Sequence, residues 1–339
     1  MTAIEIDGRA LGPERPPFIV AEIGMNHNGD LQLGKEMIQS AAEAGADAVK
    51  FQSFQTDQFL SEAIKNREQY REYELSRQDH ESLISEARHN NITFFSTPFD
   101  KVSVDLLDEL DVPCFKIASA DITNLPLIKD IAERQKPVLL STGYSTMSEV
   151  ATAVERIRDV GGAQLILLHC VSLYPTQPRE LNLKVIRTLR RAFQIDIGLS
   201  DHTQFSPVAP VAATALGASV IEKHFTTNND LPGFDHEISE NPDSFSEMVE
   251  LVRTTFEALG TGWKQPLRDE IEKRDRARRS TFWRDSYPSE MTIKDDMLVY
   301  KRPGGGVPPI QVHELVGRDL SMAVEAGDRV DYGQIDWDS

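Results

Sequence analysis

The sequence predicts a (β/α)8 TIM barrel followed by a small β-rich unit. Eight short apolar runs alternate with helical patterns over about 250 residues, the repetition that such a barrel requires. Each run ends in a polar or charged residue, and in a barrel the carboxyl ends of the strands share one mouth. After Gly260 the alternation stops, and short β-like runs separated by Gly/Pro turns take over.

The elements follow in order. PFIVAE ends on Glu22, with a helix predicted over 31–45; AVKFQ carries Lys50. A long connection, 53–79, holds charges with Tyr70 and Tyr73 and precedes a helix over 80–90. ITFFST closes on Thr97 before a helix over 101–110, and CFKIAS carries Lys116 and Ser119 before one over 124–134. PVLLST closes on Ser141, and the segment Ser145 to Glu149 offers an N-cap for a helix over 146–159. LILLHC contains His169, with Asn182 as the expected cap within 180–193. IDIGLSDH ends on His202, and Ser206-Pro207 opens a helix over 206–217. SVIEKH ends on His224; a second long connection, 225–242, leads to the last helix, 243–259. The expected domains are thus a barrel over 1–263, a charged linker over 264–279 and a β-rich domain over 280–339. At that size the last is marginal by itself.

The totals narrow the function. The 339 residues are 40% hydrophobic and 27% charged, with a formal net charge of −18. Nucleic-acid binding needs a basic footprint, which this chain lacks. An anionic ligand would therefore need the few barrel lysines to supply a local positive field. Cys114 and Cys170 lie in apolar runs, as reduced thiols do in a reducing compartment. No leader-like or membrane-spanning apolar stretch is present, so a cytoplasmic protein is expected.

Strand parity tests which residues can share the lumen. Glu222 and His224 point one way and Lys223 the other; Lys50 pairs with Gln52, and Ser200 with Gly198 and His202. A lysine aimed into a barrel needs a partner. Lys50 and Lys116, with Thr97, Ser119, Ser141 and Ser200, could cradle a phosphate and a carboxylate. Alternatively, each lysine neutralises Glu22 or Glu222. His202 and His224 close neighbouring strands and could hold a divalent metal, with Glu22 and Asp235 orienting ligands, or they could be hydrogen-bonded structural residues. The pair does not choose among manganese, zinc and iron. A Schiff-base lysine would leave the histidines without a purpose. His169 and Cys170 face opposite ways and cannot form a thiol dyad. Gly304-Gly305-Gly306 lacks the context of a phosphate loop and reads as a turn.

FIVAEIGMNHNGD, DAVKFQSF, FFSTPFD, FKIASADITNLPLI, LLSTGYST, SDHT and IEKHFT together resemble the sialic acid (nonulosonate) synthase family. RRSTFW…KRPGGGVPP…GRDL resembles that family's antifreeze-like SAF domain, so the resemblance runs from about residue 17 to 337. It implies condensation of phosphoenolpyruvate with an N-acylated amino sugar of the N-acetylmannosamine type, giving a nine-carbon 2-keto acid and phosphate. By similarity His202 and His224 would bind the metal, usually manganese, with magnesium or cobalt as alternatives. Lys50, Lys116, Thr97, Ser119, Ser141 and Ser200 match positions that hold phosphoenolpyruvate. Glu22 and Glu222 match acidic residues near the sugar, Asp235 a residue near the metal water, and Tyr174 a sugar- or phosphate-side residue. Arg302 matches an arginine that reaches the partner's site in a domain-swapped homodimer. The chain departs from the family pattern at Ser172, where asparagine is usual, at Phe234 in GFDHEIS, and in a shortened 53–79 segment. Diacetamido sugars are therefore acceptors as reasonable as N-acetylmannosamine. Other phosphoenolpyruvate condensations, or a silent sugar-binding scaffold, are the competing readings.

Overall fold

Eight parallel strands close into a barrel in the computed structural model, which describes residues 4–339. The chain divides into two compact units, Met1–Gly260 and Thr261–Ser339. In the first, a hairpin of β1 (Ile4–Ile6) and β2 (Arg9–Leu11) precedes the barrel. The barrel strands are β3 (Phe18–Gly24), β4 (Ala48–Ser53), β5 (Thr93–Pro98), β6 (Phe115–Ile117), β7 (Val138–Ser141), β8 (Leu165–Cys170), β9 (Asp196–Asp201) and β10 (Val220–His224). Strand β10 pairs with β3 and closes the ring.

The helices are α1 (Leu31–Glu43), α2 (Thr56–Phe59), α3 (Arg67–Glu72), α4 (Arg77–His89), α5 (Lys101–Glu109), α6 (Leu125–Ala132), α7 (Met147–Val160), α8 (Val185–Phe193), α9 (Val208–Ala215) and α10 (Pro242–Leu259). Side-chain caps start most of the long ones: Asp30, Ser76, Asp100, Asn124, Thr146 and Asn241 each accept from a first-turn amide. Two expected caps are corrected. Helix α8 begins after Lys184 with no side-chain cap, and Asn182 instead has a left-handed φ of 44°. Before α9 the N-cap position is Pro207, with no side-chain cap, and Ser206 stands one residue further back, its Oγ accepting from Val208 N at 3.4 Å. The 53–79 connection contains α2 and α3, so it is not a bare loop.

Alternation sorts the strand residues into two cores. Ile19, Ala21, Val49, Phe51, Leu199 and Ile221 pack outward with the helices. Phe18, Val20, Ala48, Phe95, Leu139, Ile166, Leu168 and Val220 fill the interior, joined by Ile4, Ile6 and Leu11 of the hairpin. Two glycines are dictated by space. A Cβ at Gly198 would stand 2.6 Å from Leu168 Cδ2 and 2.8 Å from Val220 Cβ. Gly24, at φ +56°, follows a register shift in β3 and sits beside the Glu22 carboxylate.

The second unit pairs β11 (Ser280–Trp283) with β12 (Leu298–Lys301) in antiparallel register. Its core gathers Trp283, Ile293, Leu298, Val307, Leu315 and Val330, and Trp283 Nε1 donates to Gln334 Oε1 at 2.9 Å. The charged stretch read as a linker forms α11 (Arg268–Ala277) within this unit. The RVDYG run supplies only an isolated bridge at Arg329 and then a short 3-10 turn, so it is not a strand. The triple glycine turns back under β11, with Gly306 N donating to Ser280 Oγ at 2.9 Å.

Gly198→Ala should destabilise the barrel by about 1–3 kcal/mol through overpacking. Urea unfolding of the two proteins checks this; equal midpoints would show that Leu168 and Val220 can yield.

Candidate active site

The outward packing of Ala21, Val49, Ile117, Leu199 and Ile221 turns Glu22, Lys50, Lys116, Ser200 and Glu222 toward the lumen. Lateral register then sets them side by side. His224 is level with Glu22 and Glu22 with Lys50, while Ser200 is level with Glu222. A cavity of about 300 Å³ opens at the carboxyl ends of the strands. Its lining includes Glu22, Lys50, Thr97, Lys116, Ser119 and Ser141 from the first half of the barrel. From the second half come Tyr174, Ser200, His202, Glu222, His224 and Asp235. Every barrel residue proposed from sequence is therefore in one cavity. Arg302 belongs to the second unit and is exposed. Ser119 reaches the cavity from a 3-10 turn, Ser119–Asp121, beyond the end of β6.

At the floor, the lysines are paired with carboxylates. Lys50 Nζ lies 2.9 Å from Glu22 Oε2 and 3.7 Å from Glu222 Oε1, and donates to Thr97 Oγ1 at 3.1 Å. Lys116 Nζ is 3.7 Å from Glu222 Oε1 and donates to the Ile117 carbonyl at 3.2 Å. Glu222 also accepts from Ser200 Oγ at 2.9 Å, and Glu22 from Gln52 Nε2 at 3.2 Å. Burial raises the Glu22 carboxyl to about 7, Lys50 opposing and Glu222 adding. Burial also acts against charge on Lys50, but Glu22 and Glu222 outweigh it and hold the lysine above its usual range. Lys116 is lowered by burial, with Glu222 opposing and Lys50 adding. For Glu222 burial is outweighed by the two lysines and Ser200, so it is the firmly ionised carboxylate. Ser141 Oγ and Glu222 Oε2 are buried without a hydrogen-bond partner, as acceptors and donors awaiting a polar ligand would be.

The histidines stand with ring centroids 5.3 Å apart. His202 Nδ1–H donates to the Val171 carbonyl at 2.8 Å. Burial acts against charge on His202, but Cys170 and the Val171 carbonyl outweigh it and hold the imidazole above its usual range. His224 is buried, and its Nδ1 has no hydrogen-bond partner and lies 3.7 Å from Asp235 Oδ2. Burial, then His202 and the nearby lysines, hold His224 well below the usual histidine range, in its neutral form. Two close imidazoles with an orphaned buried nitrogen fit a divalent cation. Among the described residues no group of three or more His, Cys, Asp or Glu side chains is placed to hold an ion. The pair would therefore need water or ligand oxygens to complete a coordination shell.

Parity also separates His169, whose Nε2 meets the Leu181 carbonyl at 2.7 Å, from Cys170, which lines the cavity. Cys170 is a free, buried thiol, as expected. Burial works against its ionisation, but His202, Ser119 and Ser172 bring it down to about 7. Gln52, Phe99, Tyr144 and Ser172 also line the cavity. Gln52 and Ser172 follow strand parity and the LYPT motif; Phe99 and Tyr144 lie past strand ends, where periodicity carries no information. Gly143 N donates to Ser119 Oγ at 2.9 Å, and a Cβ there would collide with Ser172.

Behind the histidines, Lys223 points outward and is fully buried. Its Nζ lies 2.6 Å from Asp201 Oδ2, 3.4 Å from Glu240 Oε1 and 3.0 Å from Thr203 Oγ1. Asp201 precedes His202 and Lys223 precedes His224. Glu240 N donates to the His224 carbonyl at 2.9 Å. This ion cluster ties together the ends of β9 and β10 and the connection that carries Asp235.

A barrel with buried paired lysines and carboxylates, orphaned polar atoms and two close imidazoles at its mouth has the make-up of an enzyme active site. Residues 37–264 match the NeuB family. The chain is 40% identical to the N,N'-diacetyllegionaminic acid synthase of Legionella pneumophila subsp. pneumophila, covering 91% of this chain and 92% of that one. It is 38% identical to the protein of the same name from Campylobacter jejuni subsp. jejuni, covering 89% and 95%. It also superposes with a TM-score of 0.75 on N-acetylneuraminic acid (sialic acid) synthetase from Leptospira borgpetersenii serovar Hardjo-bovis, solved in complex with citrate. The two are 35% identical, over 80% of this chain and 95% of that one. The chain belongs to the NeuB family.

Two predictions follow from the buried charges. Lys223→Met strands Asp201 and should cost about 3–5 kcal/mol, read by urea unfolding; a loss under 1 kcal/mol would mean the carboxylate had simply taken up a proton. The folded Glu22 carboxyl keeps its proton up to about 7, against a reference value of 4.5. Its contribution to stability is thus full below about pH 4.5 and is lost as pH rises through 7. Glu22→Gln, which cannot ionise, should gain stability relative to the wild type between pH 5 and pH 8. A difference that is flat with pH would show that Glu22 titrates normally.

Proposed function

We propose that this chain is a nonulosonic acid synthase. It joins phosphoenolpyruvate to an N-acylated amino sugar of the N-acetylmannosamine type, giving a nine-carbon 2-keto acid and phosphate for surface-glycan biosynthesis. The observation that carries this reading is the convergence in one cavity of Lys50 and Lys116 with the hydroxyls of Thr97, Ser119, Ser141 and Ser200, beside His202 and His224. Relatives named as diacetyllegionaminic and sialic acid synthases support it along nearly the whole chain. Acceptors with one or with two acetamido groups both fall within the class.

In this reading the lysines and hydroxyls bind the phosphate and carboxylate of phosphoenolpyruvate, a trianion that the otherwise acidic protein would repel. Binding would loosen the contacts of Lys50 and Lys116 with Glu222 in favour of the ligand. His202 and His224 would hold a divalent cation, manganese by resemblance, which when bound supplies Lewis-acid polarisation of the sugar aldehyde. Asp235, beside His224, orients the acceptor or water at that position. Carbon 3 of phosphoenolpyruvate attacks the aldehyde carbon, and the cation left at carbon 2 is stabilised by Glu222, the ionised carboxylate. Water adds at carbon 2, and the carbon–oxygen bond to phosphate breaks as the ketone forms. Glu22, which titrates near 7, is suited to move the protons of the new hydroxyl and the attacking water. Tyr174, with its ring 4.1 Å from that of His202, walls the same side.

The second unit reads as the antifreeze-like SAF domain. Its Arg302, by resemblance, serves the cavity of a neighbouring subunit in a domain-swapped homodimer. The free thiols of Cys114 and Cys170 suit a reducing compartment, and we place the enzyme in the cytoplasm. Among the described residues no helix is long and apolar enough to cross a membrane.

With manganese and a panel of amino-sugar acceptors, phosphate should be released from phosphoenolpyruvate with at least one acceptor and be abolished by EDTA. His202→Ala should lower the rate by at least about a hundredfold, in line with loss of the electrophile. Release that survives both treatments would remove the metal from the reaction. Mixing Arg302→Ala with His202→Ala chains should restore part of the activity through dimers with one intact site. No recovery would show that Arg302 does not act across subunits.

A further inference from the structure

A second cavity lies at the end of the barrel opposite the mouth, among residues that the reaction just described does not use. It holds about 590 Å³, a volume typical of small-molecule sites. Ile4 and Leu11 of the hairpin, with Leu165 and Ile195 beside the starts of β8 and β9, make its walls largely apolar.

Its polar groups are few and incompletely engaged. Asp196 opens β9 and lines the cavity; burial raises its carboxyl and Arg190 opposes, while among the described residues no hydrogen bond holds it. Gln164 accepts from Glu5 N at 3.4 Å through Oε1, which leaves its NH2 group as a donor. Arg190 is fixed by donating to the Leu216 and Gly217 carbonyls at 2.9 and 2.6 Å, and its Nε is buried without a partner. A carboxylate acceptor and an amide donor set in an apolar wall complement the amino-and-acceptor edge of a heterocyclic base.

The helix beside this cavity is basic, in a chain whose net charge is −18. Residues 181–195 include Lys184, Arg187, Arg190 and Arg191 and no Asp or Glu. Arg187, Arg190, Arg191 and Gln194 follow the i, i+3, i+4, i+7 spacing that sets them on one side of α8, and Arg190 and Gln194 line the cavity. Arg187 and Arg191 are exposed, and among the described residues neither stands within 4 Å of a carboxylate, unlike Arg134 and Arg253. Burial lowers the Arg190 guanidinium, with Asp196 opposing and Arg187 adding, so the three charges are neighbours. Guanidinium groups left together beside a pocket suit a phosphate, which each can meet with two N–H groups. The carbonyls at the tip of the helix repel an anion, so the phosphate belongs along the arginine flank.

We propose that this cavity is a nucleotide site, separate from the mouth, for a nucleoside monophosphate whose base carries an exocyclic amino group. The base lies among Ile4, Leu11 and Leu165 with its amino group on Asp196, and the phosphate rests on Arg187 and Arg191. The site goes beyond the condensation reading and does not depend on it.

Calorimetric titration of the full-length protein with CMP, UMP, AMP and IMP tests this, since within each pair an amino group is exchanged for an oxo group. At least one amino nucleotide should bind at a single site, about tenfold or more tighter than its oxo partner, the effect of one unpaired polar group. Inorganic phosphate should bind more weakly than either. Reversing the rim with Arg187→Glu and Arg191→Glu should raise the Kd at least about tenfold. Asp196→Asn should bring the two nucleotides of the pair within about threefold of each other. Urea midpoints close to that of the wild type show that the variants are folded, and saturating phosphoenolpyruvate should leave nucleotide binding in place. No binding at millimolar nucleotide, or a preference that survives Asp196→Asn, would overturn the proposal. Equal affinity for nucleotides and inorganic phosphate would reduce the site to a bare cationic surface, and binding that tolerates the arginine reversal would remove the phosphate from the rim; either overturns it. Displacement by phosphoenolpyruvate would place the nucleotide at the mouth and overturn it as well.

Discussion

Burying Glu22, Lys50, Lys116 and Glu222 together at the mouth of a barrel is the constraint on which the rest of this structure depends. Apolar side chains of similar volume would pack there at lower cost, since desolvation of ions is only partly repaid by their pairing. Each lysine is tolerable because a carboxylate stands within 4 Å of it, and each carboxylate because a hydroxyl or an amide also donates to one of its oxygens. The arrangement is also unequal. Glu22 is held near the neutral range while Glu222 stays ionised, although the two share Lys50. Two carboxyl groups pushed apart in this way can take different roles in one reaction. The same pairing offsets the burial of Lys50, whose pKa is held above its usual range, and opposes it at Lys116.

Strand alternation lets one short segment serve two purposes. In VIEKH the even positions, Glu222 and His224, face the lumen, while Lys223 between them turns into the layer between strands and helices. Asp201 and His202 repeat the pattern on β9. Each histidine that could meet a metal is therefore flanked by a residue of a buried ion cluster, and the cluster reaches the following connection through Glu240. The rigidity of the site comes from outside the cavity. His224, whose buried Nδ1 has no hydrogen-bond partner, needs such support because a side chain free to rotate would find one.

A cluster of Phe54, Phe59, Tyr70, Phe99 and Phe234 adds a different kind of surface at the same mouth, where Phe99 lines the cavity. The connections that carry these rings are the variable parts of a barrel, supported by strands that are not.

The sequence by itself determined the strand–helix alternation, the closed barrel and the lumen face of each strand, because a period of two and a period of 3.6 are written into residue spacing. Those periods placed Glu22, Lys50, Lys116, Ser200, Glu222 and both histidines in one cavity before any coordinates. Boundaries outside the periodic segments were less legible. Asn182 has the chemistry of a helix cap but a left-handed backbone, Ser119 arrives on a turn rather than a strand, and the RVDYG run is too short of partners to be a strand. Only the tertiary structure decided that Cys170 stands beside His202, that the lysines are already paired, and that Phe99, Tyr70 and Phe234 meet. Such contacts join residues up to 172 positions apart, as between Lys50 and Glu222. No local pattern records them, since they arise where connections of unrelated sequence are brought over one mouth by the closure of the barrel.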